Sequence, residues 1–145
     1  MKKIFGLFLT VATAAIITSS CTKTCDPGYE GDKCTTEVRA KFVGQWKGDE
    51  VCTVGTDSYT IAVANSASDV QTITITNIYN QTFTATASAT GTTFTAAANQ
   101  TLATGVTLLS GSGSLTGNTL TFTYAIQAAG PPAITNNCTF TGTKL

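Results

Sequence analysis

Apart from Lys144, every Asp, Glu, Lys and Arg of this chain lies at or before Asp69. Asp49, Glu50, Asp57 and Asp69 are its candidate carboxylates, histidine is absent, and no Asp, Glu, Lys or Arg occurs from Val70 to Thr143. A pair drawn from those four could in principle serve bond hydrolysis, one acting as acid and one as base. Asp49 and Glu50 are adjacent, however, and adjacent residues of an extended segment point to opposite faces. A solvated turn between the first two strands accounts for them more simply. General acid–base catalysis and most metal sites need groups that the second half of the chain does not carry. No phosphate-cradling glycine loop, nucleophile elbow or metal-ligand cluster is present. The chain is therefore expected to be no enzyme, with no catalytic residues, no cofactor and no resident metal.

The remaining reactive groups are five cysteines. The first, Cys21, follows a segment with its own logic. Lys2 and Lys3 give a positive start, Ile4 to Ile17 is uncharged and mostly apolar, and Thr18, Ser19 and Ser20 are small. This run fits a signal-peptide core and is too short to span a bilayer core of roughly 30 Å as a permanent helix. The site resembles a bacterial lipobox, with Thr18 where that family usually has Leu. The resemblance implies cleavage before Cys21 and lipidation of its thiol. Each buried CH₂ contributes about 0.8 kcal/mol, and more than one acyl chain gives lasting attachment. The residue after Cys21 is Thr22, not the Asp that signals inner-membrane retention in some bacteria, so the outer membrane is the expected address. The expected organisation is a signal peptide over 1–20, an anchor, loop and linker over 21–41, and a main domain over 42–145.

Export permits disulfides. With Cys21 lipidated, Cys25, Cys34, Cys52 and Cys138 remain, and they can pair in three ways. Pro27-Gly28 and Gly31 are turn formers that let Cys25 meet Cys34 across a short loop. Cys52 and Cys138 are then left for each other. The loop also resembles the last loop of an EGF-like module, through Cys25, Gly28, Tyr29, Gly31 and Cys34. The four earlier cysteines of that family are missing, so a stapled spacer without a calcium site is expected. After residue 20 the charged residues are Lys23, Lys33, Arg39, Lys41, Lys47 and Lys144 against Asp26, Glu30, Asp32, Glu37, Asp49, Glu50, Asp57 and Asp69. That balance is slightly acidic and offers nothing to nucleic acid.

These groups must be positioned by an all-β body. Tyr59, Ile61 and Val63 alternate with Thr60, Ala62 and Ala64. The same period of two recurs at Ile73 and Ile75, at Phe83, Ala85 and Ala87, at Leu120, Phe122, Tyr124 and Ile126, and at Cys138 and Phe140. One face is apolar and the other is hydroxyl-bearing, as in half-buried antiparallel strands. The pattern predicts strands over 42–47, 50–54, 58–65, 70–78, 82–89, 92–98, 103–110, 112–116 with 119–127, and 136–144. Gly111-Ser112-Gly113 is read as a turn, and 36–42 as a short helix. About eight or nine strands in a meander with uncharged edges would invite pairing between chains. Closure into an up-and-down barrel removes the edges, and a Cys52–Cys138 bridge would tie an early strand to the last.

Gly44-Gln45-Trp46 resembles the Gly-x-Trp of the first strand in lipocalin and calycin barrels. In that family the Trp closes one end of a barrel that holds a small apolar ligand, and a late-strand Arg stacks on it. Here only Lys144 could take that place. The resemblance implies a ligand-facing interior that includes Trp46, Tyr59, Ile61, Ile73, Phe83, Phe94, Phe122 and Tyr124. Small residues such as Ala85 and Ala87 could leave room for one ligand in a barrel of about eight strands. They could equally fit a filled barrel that binds a protein or glycan of the cell envelope through its outer face. Taken together, the lipidated cysteine, the EGF-like loop and the lipocalin-like meander are similar to small outer-membrane lipoproteins of Bacteroidota.

Overall fold

Alternation is what the chain builds from. In a computed structural model that describes residues 24–145, almost every regular element is an antiparallel strand. The expected signal peptide and Cys21 lie outside the described residues. A small ribbon comes first, β1 (Tyr29–Glu30) paired with β2 (Thr36–Glu37). A 3₁₀ turn over Val38–Lys41 follows, which is the short helix expected over 36–42 in narrower form. Then come β3 (Gly44–Cys52), β4 (Gly55–Asn65), β5 (Thr72–Ile78), β6 (Phe83–Thr90), β7 (Thr93–Ala96), β8 (Gln100–Ala103), β9 (Val106–Thr116), β10 (Thr119–Ala128) and β11 (Ile134–Lys144).

The main sheet runs β10-β11-β3-β4-β5-β6-β7-β9, and β9 pairs back onto β10, so eight strands close into a barrel. The ninth strand, β8, stands outside this ring and pairs only with the start of β9. Its Gln100 side chain supplies a link that backbone would otherwise make. Oε1 accepts from the Thr86 backbone N–H at 2.8 Å, and Nε2 donates to the Thr86 carbonyl at 2.8 Å. The ladder of β6 thus continues past the end of β7.

Both disulfides form as the spacing favoured. Cys25 joins Cys34, and Cys52 joins Cys138 across the β3–β11 register.

The strand limits differ from expectation where glycine was read as a break. Gly48 lies inside β3, opposite Gly142 of β11. A Cβ on Gly48 would stand 2.1 Å from the Thr141 carbonyl oxygen, so the two strands approach more closely there than any side chain permits. Segments 42–47 and 50–54 are therefore one strand. Gly111-Ser112-Gly113 is likewise no turn but the middle of β9, which unites 112–116 with most of 103–110. A Cβ on Gly113 would lie 2.0 Å from Phe94 Cζ, and one on Gly111 would lie 2.9 Å from Phe122 Cε2. Glycine inside a strand marks such close approach.

One end of the barrel is plugged. Phe42 follows the 3₁₀ turn, is wholly buried, and meets Phe94 edge-on at 5.5 Å between ring centres. Trp46 donates from Nε1 to the Phe42 carbonyl at 2.8 Å. The Lys144 Nζ stands 5.3 Å from the centre of the Trp46 ring. Gly44 lies beneath it at φ +141°, a backbone conformation that favours glycine. Arg39 is buried and donates from Nη1 to the carbonyls of Ser66 (2.7 Å), Asp69 (2.5 Å) and Thr72 (3.1 Å). It thereby fastens the β4–β5 loop over this end. The loop holds itself as well: Asp69 accepts from Thr72 Oγ1 and from the backbone N–H groups of Gln71 and Thr72. These bonds, the Thr72 hydroxyl foremost, draw the Asp69 carboxyl below its ordinary pKa. The stapled loop docks here too, with the Gly28 carbonyl accepting from the Val38 N–H at 2.8 Å and Glu30 pairing with Lys41 at 2.7 Å.

Between the two ends the barrel is filled. Aromatic rings run in series from Tyr124 to Phe122 (4.8 Å), Phe94 (5.4 Å) and Phe42 (5.5 Å). Ile61, Ile73, Ile75, Leu108 and Leu120 pack around them and are fully buried.

Candidate functional site

The opposite end, formed by the β3–β4, β5–β6, β8–β9 and β10–β11 connections, is open. Its chemistry begins with strand parity. Trp46, Gly48, Glu50 and Cys52 share one face of β3, and that face points inward. Glu50 is therefore carried into the barrel and is 2% exposed, whereas Asp49 lies on the solvent side. The expected solvated turn at Asp49-Glu50 is thus corrected: β3 is continuous, and the turn falls at Thr53-Val54.

Two hydroxyls converge on Glu50. Tyr59 donates to Oε1 at 2.6 Å, and Tyr124 makes a short hydrogen bond to the same oxygen. Burial, reinforced by the neighbouring Glu50 carboxyl, pushes both phenols well above their ordinary pKa. They act as fixed donors. The Tyr59 oxygen also accepts from the Tyr79 backbone N–H at 3.1 Å. The Tyr79 hydroxyl in turn accepts from Asn136 Nδ2 at 2.9 Å. Asn136 is 5% exposed, and its Oδ1 is buried with no hydrogen-bond partner. A buried polar atom left unpaired carries a cost of about 1–3 kcal/mol.

Two recesses adjoin this network. The first is an apolar cup of about 280 Å³ walled by Phe83, Val106, Ile126, Ile134 and Tyr79, with Asn136 on its lining. The second is a polar cleft of about 250 Å³ that reaches Glu50, Cys52, Thr56 and Asp57. Val54, Tyr79 and Gln81 line both, so the recesses share a wall. Asp57 sits directly across from Glu50 in the β3–β4 register. It accepts from Asn80 Nδ2 at 2.7 Å and from the Ser58 N–H at 2.8 Å, both neutral donors. Among the described residues no cation lines either recess. Arg39, Lys41 and Lys144 belong to the plugged end, and Lys47 is on the outer face of β3.

The eight residues expected to face a ligand are all on the inner side of the barrel, but they divide by depth. Trp46, Ile61, Ile73, Phe94 and Phe122 are packed into the filled body and border neither recess. Tyr59 and Tyr124 lie just below the mouth and orient Glu50. Phe83 alone of the eight lines the cup. Sequence reasoning passed over Glu50 as an inward group, and also Tyr79 and Asn136. Parity held the signal: Glu50 lies four residues after inward Trp46 and two before inward Cys52, and Asn136 keeps step with inward Cys138 and Phe140.

As a metal site the mouth is poor. Glu50, Cys52 and Cys138 bring three donor atoms within 4.8 Å of one another, yet both sulfurs are consumed in their disulfide. The chain matches no protein-family model, no curated protein and no solved structure.

Proposed function

We propose that this chain is an exported, non-catalytic binding module, anchored to the outer membrane by acyl groups on Cys21, whose open barrel end takes up a small ligand with an apolar body. One observation carries the reading. The apolar cup opens at the barrel end away from the N-terminal loop, and Asn136, whose Oδ1 is buried and unpaired, is among its lining residues. Ligand sites combine this kind of apolar concavity with a few placed polar groups. At about 280 Å³ the cup is smaller than most drug-sized pockets, which favours a compact ligand over a long chain. The filled body below it removes the deep central cavity that a lipocalin-like reading would otherwise suppose.

The disulfide loop docks at the plugged end, so a lipid on Cys21 would leave the mouth turned from the bilayer. The leader pattern of residues 1–20 and the small residues before Cys21 support the anchor. Mass spectrometry of the intact protein from its native membrane tests it. The expected mass is that of the chain from Cys21 with acyl groups and two disulfides, and an unmodified Cys21 would remove the anchor from the proposal.

Calorimetric titration of the nanodisc-held protein with 2-phenylethanol, against empty nanodiscs, tests the binding reading. Saturable binding is expected to be lost on Phe83→Asp, and heat no greater than that of empty nanodiscs would refute the pocket. A second reading, in which a protein or glycan of the envelope docks at the mouth, draws support from Val51, Val54 and Ile134, which are 59%, 67% and 62% exposed. Crosslinking from position 54 in whole cells distinguishes it, because only that reading expects a discrete macromolecular adduct.

A further inference from the structure

The carboxylates at the mouth say which ligands the cup prefers. Glu50 and Asp57 face each other across β3 and β4, both reach the polar cleft, and no cation among the described residues approaches them. Like charges set directly opposite on neighbouring strands destabilise a sheet. Here one member of the pair is 2% exposed, where water relieves little of that repulsion. Both hydroxyls that bind Glu50 converge on Oε1, and no hydrogen bond reaches Oε2 among the described residues. Asn136, on the lining of the cup, adds an independent and equally one-sided feature: a buried amide oxygen with nothing to accept from. The charged groups of the mouth are thus both anionic, with no cation among the described residues to match them, and they sit at the edge of an apolar recess.

Resting on the binding reading above, we infer that the ligand is a small amphipathic amine. Its apolar body fills the cup against Phe83, Val106 and Ile126, and its ammonium group crosses the shared wall at Tyr79 to lie between Glu50 and Asp57. An ammonium offers three donors and no acceptor, which complements this set. A carboxylate ligand, such as a short fatty acid, would bring a third negative charge beside two that are already unmatched. Electrostatic rejection of that kind is a common source of specificity.

Three compounds of nearly equal shape separate the possibilities: 2-phenylethylamine, 2-phenylethanol and phenylacetate. Each is titrated calorimetrically at pH 7 into the full lipidated chain in nanodiscs, with empty nanodiscs as the blank. The amine is expected to bind at least tenfold more tightly than phenylacetate, with the alcohol between them, and to weaken several-fold from 20 mM to 500 mM salt. Asp57→Asn removes an exposed charge without touching the buried network, so its fold is safe. It should weaken amine binding three- to tenfold and leave the alcohol unchanged. Glu50→Gln should do the same more strongly, with the circular dichroism spectrum reporting that the barrel is intact. Phenylacetate binding as tightly as the amine, or amine binding indifferent to Asp57→Asn, overturns the inference and leaves the pocket standing. Failure of all three compounds to bind overturns the pocket and the inference together.

Discussion

Gly113→Ala is the sharpest probe of how this barrel is assembled, because the sequence and the structure assign it opposite signs. Gly113 does not have a positive φ, so alanine can adopt its backbone conformation. In a turn or on an open surface, such a change stabilises by about 0.4–1 kcal/mol through the unfolded chain. In the middle of β9 the new methyl would stand 2.0, 2.3 and 2.6 Å from three atoms of the Phe94 ring. That ring is 1% exposed and held between Phe42 and Phe122, so it has nowhere to go. Overpacking of this kind costs about 1–3 kcal/mol. With a urea slope of about 1.5 kcal/mol per molar, the midpoint should fall by about 0.7–2 M. A double-mutant cycle isolates the cause. Phe94→Ala alone should cost about 3–5 kcal/mol, and in that background Gly113→Ala should cost nothing, because the methyl enters vacated space. Equilibrium unfolding with both disulfides intact, followed by far-ultraviolet circular dichroism, measures all four corners. A Gly113→Ala protein as stable as the parent, or a penalty that persists without the Phe94 ring, would refute the packing and the placement of β9 with it.

The remaining expectations concern the two ends. Tyr59 and Tyr124 have raised pKa values, so the folded chain keeps protons that the unfolded chain releases near pH 10. Their contribution is complete below that pH and is lost above it, by up to about 1.4 kcal/mol per pH unit for each tyrosine. A stability profile from pH 8 to 12, with tyrosinate absorbance at 295 nm, should show both ionising only with unfolding. Asp69 has the opposite sign: its bonds are present at neutral pH and are lost as the solution is acidified below the ordinary Asp range. Protection of the Gln71 and Thr72 amides, measured against their intrinsic exchange rates at each pH, should fall there. Replacing Cys52 and Cys138 by Ala opens a link across 86 residues, for which the chain-entropy model gives about 4–5 kcal/mol. Urea midpoints should fall further than for the Cys25/Cys34 pair. Lys144→Gln should cost about 0.5–1 kcal/mol and shift the emission of Trp46, the one tryptophan of the chain. An unchanged spectrum would place the ammonium off the ring.

Much of this architecture was legible because alternation is a local property. Tyr59-Ile61-Val63 and Leu120-Phe122-Tyr124-Ile126 announce their faces without reference to any neighbour, and the cysteine spacing tied the ends of the sheet together. What could not be read depends on residues distant in sequence. A glycine reads as a turn until the ring that covers it is known, and Phe94 lies far along the chain from Gly113. Gly48 is the same case, since only the Thr141 carbonyl explains it. Gly-Asp-Glu reads as a polar turn by composition, yet its third residue is the buried acceptor of Tyr59 and Tyr124. Composition misled there and parity would not have. The two tyrosines were placed correctly inside, but their partner was invisible, because a lone inward carboxylate is intelligible only once its donors are folded around it.

The sparseness of charge in this chain then acquires a structural reading. A closed ring leaves no long free edge, so strands β5 to β11 need few of the charged residues that open sheets use to prevent pairing. Among them only Lys144 is charged, and it lies on the Trp46 ring. Apart from exposed Lys47 and Asp49 on β3, the charge of the barrel lies toward its two ends, and it is treated differently at each. At the plugged end Arg39 pairs with Glu37 at 2.8 Å and Lys41 with Glu30 at 2.7 Å, so every buried or half-buried cation there has an acceptor. At the mouth Glu50 and Asp57 have only neutral donors. Folding could have matched them with a lysine on β10 or β11, whose inward residues reach the same network, but those positions carry Tyr124, Ile126 and Asn136. Among the described residues no lysine or arginine pairs with either mouth carboxylate.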